Sequence, residues 1–526
     1  MARVIPQYWL TLITLFSSLA CLGDVNIDAA IDNQRMRVKT IVISGENDSV
    51  SDNIPMSSLL SMAQTIRAEY PEEMTFTEIS LIGDRLTTFL RETGYKFHYV
   101  FLPRQNARSG VVRLNVIEVT LDDVSLLGSS EIAPAAWQNV FEALIGKPVY
   151  QPDIDARLRS LQQRPEVSLF AYYSRGSTPN SVRLNLKATK TPRHLLSTSI
   201  DNFGSESSGH NRLINNYTWL SPLDNFDRLN VGLMYAEGGA SNLYGFLSYS
   251  LPLTSLDNEL SVQLSNNQYE VGEEFALLEL KGAAQIANVN FEQRWHLSDQ
   301  QTHKLVATWS DKSVDYSNVF DDDALVNDES ASMASLGWHW NMSNQRNTLT
   351  QLLTINAHQG QLALTGTEKF TTSFTYFTLN SSSHWYFGQQ SLALNLSLQE
   401  TDHALPSFEK LALTGVNGAR GFYAGQFAAD KGARASLAWM WPAYAINDLT
   451  QLRGFAFADL GQGDKLDFAG NSIDRGSLSS AGFGLSAQFS THYYARLQWS
   501  AWNQSRMENS IEATEQPLLF DFQYRW

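Results

Sequence analysis

Polar and apolar residues alternate strictly in the part of the chain that follows His194. Between residues 259 and 265, for example, Leu260, Val262 and Leu264 alternate with serine and glutamine. A period of two places successive side chains on opposite faces of a β-strand. Segments of about ten such residues are long enough for a tilted strand to cross a bilayer. The pattern therefore predicts a transmembrane β-barrel over residues 192–526.

Sixteen alternating segments can be placed in this region, and single-chain bacterial barrels have an even number of strands. Their bounds are 194–203, 210–221, 227–236, 243–252, 259–269, 284–295, 304–314, 332–342, 348–358, 370–380, 389–400, 433–441, 451–461, 478–489, 493–503 and 517–526. Short polar connections such as Ser343–Arg346 alternate with longer ones such as Ser317–Ser330. Short turns are typical of the periplasmic side and long loops of the outside, so the chain is predicted to enter and leave the barrel from the periplasm.

The last predicted strand has an aromatic pattern of its own. Apolar and aromatic residues occupy every second position, and the last residue is an aromatic one: Leu518, Phe520, Phe522, Tyr524 and Trp526. We interpret Phe520, Phe522, Tyr524 and Trp526 as a C-terminal signal for insertion into the outer membrane. The alternative is a soluble sandwich or propeller, but a propeller would show a repeat of about 40 residues, which the sequence lacks.

Residues 37–191 show helical as well as strand periodicity, and the same order of elements occurs twice. The first unit, 37–118, is predicted to contain strand Val38–Ile43, helices Met56–Glu69 and Thr77–Glu92, and strands Phe97–Leu102 and Val111–Glu118. The second, 119–191, is predicted to contain strand Asp122–Leu127, helices Ala133–Ile145 and Gln151–Gln162, and strands Val167–Ser174 and Ser181–Ala188. Thr75 or Thr77 can cap the second helix, and Gly94 ends it. The pattern predicts two consecutive βααββ domains of the α+β class. A generic α+β pair is the alternative.

The first 23 residues have the layout of a secretory signal peptide. Arg3 precedes an apolar run from Trp9 to Ala20, which is too short to span a bilayer. Cleavage after Ala20 and after Gly23 both fit, and lipidation of Cys21 is a further alternative. Cleavage after Gly23 leaves a short segment, 24–36, before the first domain.

The amino-acid composition reduces the number of functions that this protein can have. Only 17% of residues are charged and 11% are aromatic, whereas soluble proteins carry about a quarter charged residues. The net charge of −16 argues against a nucleic-acid partner. Motifs of metalloproteases, serine hydrolases and nucleotide-binding loops are absent, so we expect no enzyme activity and no cofactor. Histidines are not at ligand spacing and Asp321–Asp323 lacks the EF-hand glycine, so no metal site is predicted.

Several short motifs follow one another along the chain. The first domain has Leu102–Gln105 and Gly110–Val112, and the second has Gly176–Val182. The first barrel hairpin has Asp201–Gly204, Ser208–Gly209, Ser221–Leu223 and Asp227. Later strands carry Phe457–Gly461 and Gly482–Leu485. In this order the motifs resemble the outer-membrane transporters of two-partner secretion (the TpsB family), which belong to the POTRA-barrel superfamily. The resemblance covers nearly all of the chain after the signal peptide and implies that both βααββ units are POTRA domains.

The most specific motif is Ala419-Arg420-Gly421-Phe422, which resembles the Val-Arg-Gly-Tyr/Phe motif on a loop that folds into the barrel. The resemblance implies an inward-folded loop over 411–432 whose Arg420 pairs with Asp459. Phe457 and Gly461 flank that aspartate on the same strand. Gly421 and Gly461 are expected to allow close approach of the backbone. This sequence has Ala419 where valine is usual, and it lacks the glycine normally found before Asp430.

The resemblance implies a transporter in the bacterial outer membrane, with its POTRA domains in the periplasm. It would capture an unfolded, β-helical partner exoprotein and move it through the barrel to the cell surface. The other expected partners are outer-membrane lipid and, during biogenesis, the barrel-assembly machinery. The alternative functions are an assembly or insertion factor of the same superfamily and a passive porin. A porin needs neither the Arg420 loop nor a periplasmic arm.

Overall fold

The computed structural model describes residues 35–45, 54–106, 108–128, 130–238, 241–270, 281–317, 328–344, 346–365 and 369–526. The predicted signal peptide and residues 24–34 lie outside this part of the chain. Among the described helices, none has both the length and the apolar character needed to cross a bilayer. Chain contacts separate two compact units, the first made of the residues up to Asp123 with Leu144–Asp153 and Ser174–Arg183. The second contains Val124–Ala143, Ile154–Tyr173 and Leu184–Trp526.

The N-terminal part of the first unit is a small α+β fold. Its elements are β1 (Met36–Arg37), β2 (Thr40–Gly45), α1 (Met56–Ala68), β3 (Glu73–Met74), α2 (Phe76–Glu92), β4 (Tyr99–Phe101) and β5 (Val111–Ile117). The three longer strands form a sheet in the order β2-β5-β4, with β2 parallel and β4 antiparallel to β5. Helix α2 begins with a capping box between Thr75 and Glu78. Its buried residues include Ile79, Ile82 and Leu86, whose spacing places them on one face of the helix, against the sheet.

Residues 119–191 repeat the order of elements. They contain β6 (Thr120–Gly128), α3 (Pro134–Phe141), a 3₁₀ turn (Glu142–Leu144), α4 (Gln151–Gln162), β7 (Leu169–Arg175) and β8 (Ser181–Ala188), with sheet order β6-β8-β7. The predicted helix Ala133–Ile145 therefore tightens into a 3₁₀ turn at its end, a common form of helix terminus. The α+β class and the βααββ order are confirmed, whereas the domain boundaries at residues 118 and 191 stay a prediction.

The remaining strands form a closed antiparallel barrel of sixteen strands, as predicted. They are β9 (His194–Asp201), β10 (Asn211–Leu220), β11 (Arg228–Glu237), β12 (Ser241–Pro252), β13 (Asn258–Glu270), β14 (Lys281–Ser298), β15 (Gln301–Ser317), β16 (Asp328–Ser343), β17 (Leu349–Thr365), β18 (Phe370–Phe387), β19 (Gln390–Glu400), β22 (Lys431–Met440), β24 (Thr450–Leu466), β25 (Ser472–Phe489), β26 (Tyr493–Met507) and β27 (Leu518–Arg525). Strand β27 pairs with β9 and closes the barrel. Two-residue strands β20 (Leu411–Ala412) and β21 (Ala428–Ala429) pair with each other, and β23 (Tyr444–Ala445) extends the hairpin before β24.

Strands β13 to β18 are longer than the sequence pattern predicted. The predicted segment 284–295, for example, is part of β14, which runs from Lys281 to Ser298. At the extracellular end of this extra length the outward positions are polar, because Lys281, Asp315 and Ser330 are exposed there. Apolar alternation ends where a strand leaves the bilayer, but backbone pairing continues. The sequence pattern therefore detected the membrane-crossing part of each strand rather than its full length.

Candidate functional site: the loop inside the barrel

The connection between β19 and β22, residues 401–430, is the sixth extracellular loop, and we call it the lumen loop. Its partner Asp459 lies on β24, where Asp459 is 1% exposed and the next residue, Leu460, is 60% exposed. Successive side chains of a strand point to opposite faces. Leu460 therefore faces outward and Asp459 faces the interior of the barrel, which we call the lumen. The lumen loop folds into the barrel, where its Arg420 contacts Asp459.

Arg420 contacts Asp459 through two parallel hydrogen bonds. Nε donates to Oδ2 and Nη2 donates to Oδ1, each at 2.8 Å. The backbone N–H of Arg420 also donates to Oδ2, at 3.0 Å. The side chain of Arg420 is 12% exposed and that of Asp459 is fully buried. A bidentate pair of this kind fixes both the position and the orientation of the guanidinium group.

Four further side chains complete the surroundings of this ion pair. Ser436 accepts a hydrogen bond from Arg420 Nη2 at 3.1 Å, and Ser480 donates to Asp459 Oδ2 at 3.2 Å. The Gln498 amide oxygen accepts from Nη1 at 3.5 Å, and the Phe457 ring lies 3.9 Å from the guanidinium carbon. Buried charges are stable only when such partners satisfy them. Sequence reasoning singled out Phe457 but missed Ser436, Ser480 and Gln498, because each is an ordinary polar residue at an inward strand position.

The two glycines singled out from the sequence differ in their structural role. Gly421 has φ +115°, and a Cβ atom built there would lie 2.1 Å from Asn503 Oδ1. At Gly461 the nearest atom to such a Cβ, from Leu413, is 3.4 Å away. The expectation of close backbone approach therefore applies to Gly421, whereas Gly461 has room for a methyl group.

Ala419 and Phe422 hold the loop through apolar contacts. Both are buried, in a cluster with Leu413, Phe427 and Leu478. The backbone N–H of Gln516 donates to the carbonyl of Gly421 at 2.6 Å, so the motif also pairs with the segment that precedes β27. The tip of the loop, residues 413–427, is thus fixed by an ion pair, an apolar cluster and backbone hydrogen bonds.

Asp430 closes the base of the lumen loop. It is fully buried, and its carboxylate accepts the backbone N–H groups of Leu405 and Leu466, each at 2.7 Å. Lys410 Nζ lies 3.3 Å from the same carboxylate. Sequence reasoning noted Asp430 only because the glycine before it is missing. The position of Asp430 just before the predicted strand 433–441 was a signal that it did not use.

The predicted insertion signal lies along β27 and at its end. Phe520, Phe522 and Trp526 are 36%, 41% and 58% exposed, whereas the intervening Asp521 is buried and pairs with Arg496. Tyr524 packs against Trp526, with ring centroids 4.1 Å apart. The aromatic residues therefore lie on the outer face of the barrel, beside its closing pair of strands.

The motifs of the first barrel hairpin act as structural links. Asp201 forms a bidentate pair with Arg212 of the next strand. Asn202 bonds the backbone of β27 at Leu518 and Phe520, which extends the closing pair. In the following turn, buried Asp227 accepts hydrogen bonds from the backbone N–H groups of Leu223 and Asn225 and from a tyrosine hydroxyl. These residues support the barrel rather than form a second site.

No metal centre is visible in the part of the chain that the structure describes, because no three His, Cys, Asp or Glu side chains are grouped there. Asp321–Asp323 lie outside the described residues.

Comparisons with known proteins agree with this geometry. The family model "Haemolysin secretion/activation protein ShlB/FhaC/HecB" matches residues 180–487, and the ShlB-type POTRA domain model matches residues 52–118. The heme/hemopexin transporter protein HuxB of Haemophilus influenzae is 21% identical over 394 residues, which are 70% of this chain and 67% of that protein.

Two solved structures share the fold. CdiB from Escherichia coli has a TM-score of 0.72 at 16% identity, and the match covers 96% of this chain and 93% of the CdiB chain. CdiB from Acinetobacter baumannii has a TM-score of 0.68 at 15% identity, and the match covers 98% of this chain and 93% of that CdiB chain. The family model spans more than half of the chain. The chain therefore belongs to the haemolysin secretion/activation protein family ShlB/FhaC/HecB and is an outer-membrane transporter of two-partner secretion.

Proposed function

We propose that this transporter captures an unfolded, β-helical partner exoprotein in the periplasm through its POTRA domains and passes it through the barrel to the cell surface. The lumen loop then obstructs the barrel between transport events, and its tip moves when the partner enters. The proposal also assigns no enzyme activity to the chain, because the carboxylate of Asp459 and the hydroxyls of Ser436 and Ser480 are bound within the contact between the loop and the wall.

An apolar groove in the first unit carries the capture step. It has a volume of about 270 Å³ and lies beside the terminal strand β4. Its lining includes Met36, Phe76, Leu102 and Pro103. A terminal strand offers backbone hydrogen bonds to an extended peptide, and an adjacent groove accepts its apolar side chains. This combination binds unfolded chains with little dependence on their sequence.

Helix α4 and the residues after it contact the barrel within the second unit. Arg164 has only 4% of its side chain exposed, and it bonds Glu259 at 2.8 Å and the Leu256 carbonyl at 2.8 Å. Ser160 donates to Asp257 at 2.7 Å. These contacts lie at a turn on the rim from which β9 starts. We propose that they hold the second POTRA domain at the barrel entrance, where a captured chain is delivered.

The groove can be tested with two equally exposed positions on α2. Phe76 lines the groove and is 44% exposed, whereas Leu81 is 45% exposed and is not among the lining residues. Phe76→Ser should lower the amount of partner in the medium several-fold, and Leu81→Ser should leave it near the wild-type level. Barrel content, measured by heat-modifiable mobility in gels, should be equal in both. Equal secretion by the two variants would contradict capture at the groove.

Deletions test the POTRA domains as a whole. Removal of residues 37–191 should leave a barrel that inserts but does not secrete, because the peptide-binding edges are lost. Removal of 37–118 alone is the sharper test, since it keeps the contacts of Ser160 and Arg164 with the barrel. Wild-type secretion after either deletion, with the barrel present in the membrane, would refute capture by the POTRA domains.

A further inference from the structure

The first ten residues of the lumen loop, 401–410, lie against a different part of the barrel wall from the tip. We call them the loop arm. Leu405 is 3% exposed and packs, with Phe408, in one cluster with Met333, Leu362 and Phe374. These wall residues belong to β16, β17 and β18, whereas Arg420 contacts β22, β24 and β26. The lumen loop therefore has two separate areas of contact with the barrel.

Glu409 lies at the centre of the arm contact, and its side chain is 8% exposed. One carboxylate oxygen pairs with Lys312 of β15, whose side chain is 14% exposed. The other accepts a hydrogen bond of 2.5 Å from the Tyr376 hydroxyl of β18. The Tyr376 ring is itself stacked on His358 of β17, with ring centroids 4.2 Å apart and planes 3° apart. The wall partners of Glu409 are thus positioned by the wall itself.

Additional bonds follow the arm along the same wall. The backbone N–H of Ser407 donates to Glu329 of β16 at 2.8 Å, and the Thr401 hydroxyl donates to the Thr375 carbonyl of β18 at 2.8 Å. Gln399 of β19 donates to the carbonyl of Glu409 at 3.0 Å. A charge-assisted pair supported by several neutral bonds is a stable attachment when it is shielded from water.

We propose that Glu409 is a positioning residue and that Glu409, Lys312 and Tyr376 form a second anchor of the lumen loop, independent of Arg420 and Asp459. The two anchors have opposite polarity. At the tip the loop supplies the cation, Arg420, and the wall supplies the anion. At the arm the loop supplies the anion, Glu409, and the wall supplies the cation, Lys312. When the tip is released, the arm remains on β15–β18, and the loop bends between the two contacts instead of leaving the lumen.

This geometry limits how the barrel opens. Asp430 ties the end of the loop to Leu405 in the arm, so the base of the loop stays closed while the arm is attached. Release of the tip then exposes the wall formed by β24, β25 and β26. The inference rests on the proposed movement of the tip during transport, but the attachment of the arm can be measured without any partner protein.

Hydrogen–deuterium exchange of the full-length protein in detergent tests the two anchors. Glu409→Gln keeps the shape of the side chain and removes its charge. It should speed exchange of the amides of residues 401–410 by about 10- to 100-fold and leave residues 419–423 protected. Arg420→Ala should speed exchange of residues 419–423 and leave residues 401–410 protected. Glu292→Gln is the matched control, because Glu292 pairs with Lys304 and Arg294 within β14 and β15.

Channel recordings in planar bilayers give the second readout. Glu409→Gln and Arg420→Ala should each increase the open-channel current. Converted into free energies of channel opening, the two effects should add up in the double variant, as expected for independent sites. Should Glu409→Gln fail to fold, Tyr376→Phe removes only the hydroxyl and should give a smaller change in the same amides. The proposal is overturned if Arg420→Ala exposes arm and tip together, or if neither Glu409→Gln nor Tyr376→Phe changes exchange in the arm. Normal secretion by an Arg420→Ala protein whose exchange shows the expected pattern would instead contradict the proposed role of the tip in transport and leave the second anchor intact.

Discussion

The guanidinium group of Arg420 meets the carboxylate of Asp459 edge to edge, with two bonds of 2.8 Å in a site where the aspartate has no exposed surface. Removal of either partner leaves an uncompensated charge in the barrel, which costs about 3–5 kcal/mol for buried pairs. The ion pair therefore sets how firmly the loop tip is held.

Arg420→Ala and Asp459→Ala should each strongly reduce export of the partner, because the tip loses its attachment. Arg420→Lys should export an intermediate amount, since lysine keeps the charge but cannot form the two parallel bonds. Arg475→Ala is the control, because Arg475 forms a similar bidentate pair with Asp464 but is 48% exposed. Secretion is measured as partner protein in the medium at equal barrel content. Normal export by Arg420→Ala would show that the pair is not needed.

Gly421→Ala and Gly461→Ala form a matched pair that tests the fit of the loop. The first places a methyl group 2.1 Å from Asn503 and strains a backbone at φ +115°, so it should reduce export and raise open-channel current. The second meets its nearest neighbour at 3.4 Å and should behave as wild type. Equal phenotypes in planar-bilayer and secretion assays would mean that the motif glycine has no steric role.

His98 makes the first domain sensitive to acid. Burial lowers the pKa of His98 to about 4, and neither ring nitrogen has a hydrogen-bond partner among the described residues. Between pH 6.5 and 4 the unfolded chain binds a proton that the folded domain does not. The free energy of unfolding of the first domain therefore has its full value above pH 6.5. It falls by up to about 3 kcal/mol as the pH is lowered to 4.

The measurement for His98 is hydrogen exchange of β5 in the full-length protein across this pH range, corrected for the intrinsic pH dependence of exchange. His98→Phe keeps a buried ring without a titratable group and should remove most of the acid-dependent loss of protection. A wild-type domain that is equally protected at pH 4.5 and pH 7 would contradict the assignment.

The sequence by itself determined the architecture, because strand and helix periods are local properties of the chain. Alternation located all sixteen barrel strands, as at Leu260–Leu264, and the two βααββ units were evident from helical spacing as at Ile79–Leu86. Strand ends were less accurate, since pairing of β14 with β15 continues beyond the predicted segments, where Lys281 and Asp315 replace apolar residues at the outward positions. The family motif also indicated Arg420 and Asp459, which are 39 positions apart and which no local pattern connects.

Only the tertiary structure showed what surrounds these residues. Ser436, Ser480 and Gln498 become partners of Arg420 and Asp459 because the register of four neighbouring strands places them around the tip of one loop. The contact of Glu409 with Lys312, 97 positions away, likewise depends on the path of the loop across the lumen. Such contacts join single polar residues over long sequence separations. Periodicity carries no information about them, because it reports which face a side chain occupies and not which side chain lies opposite.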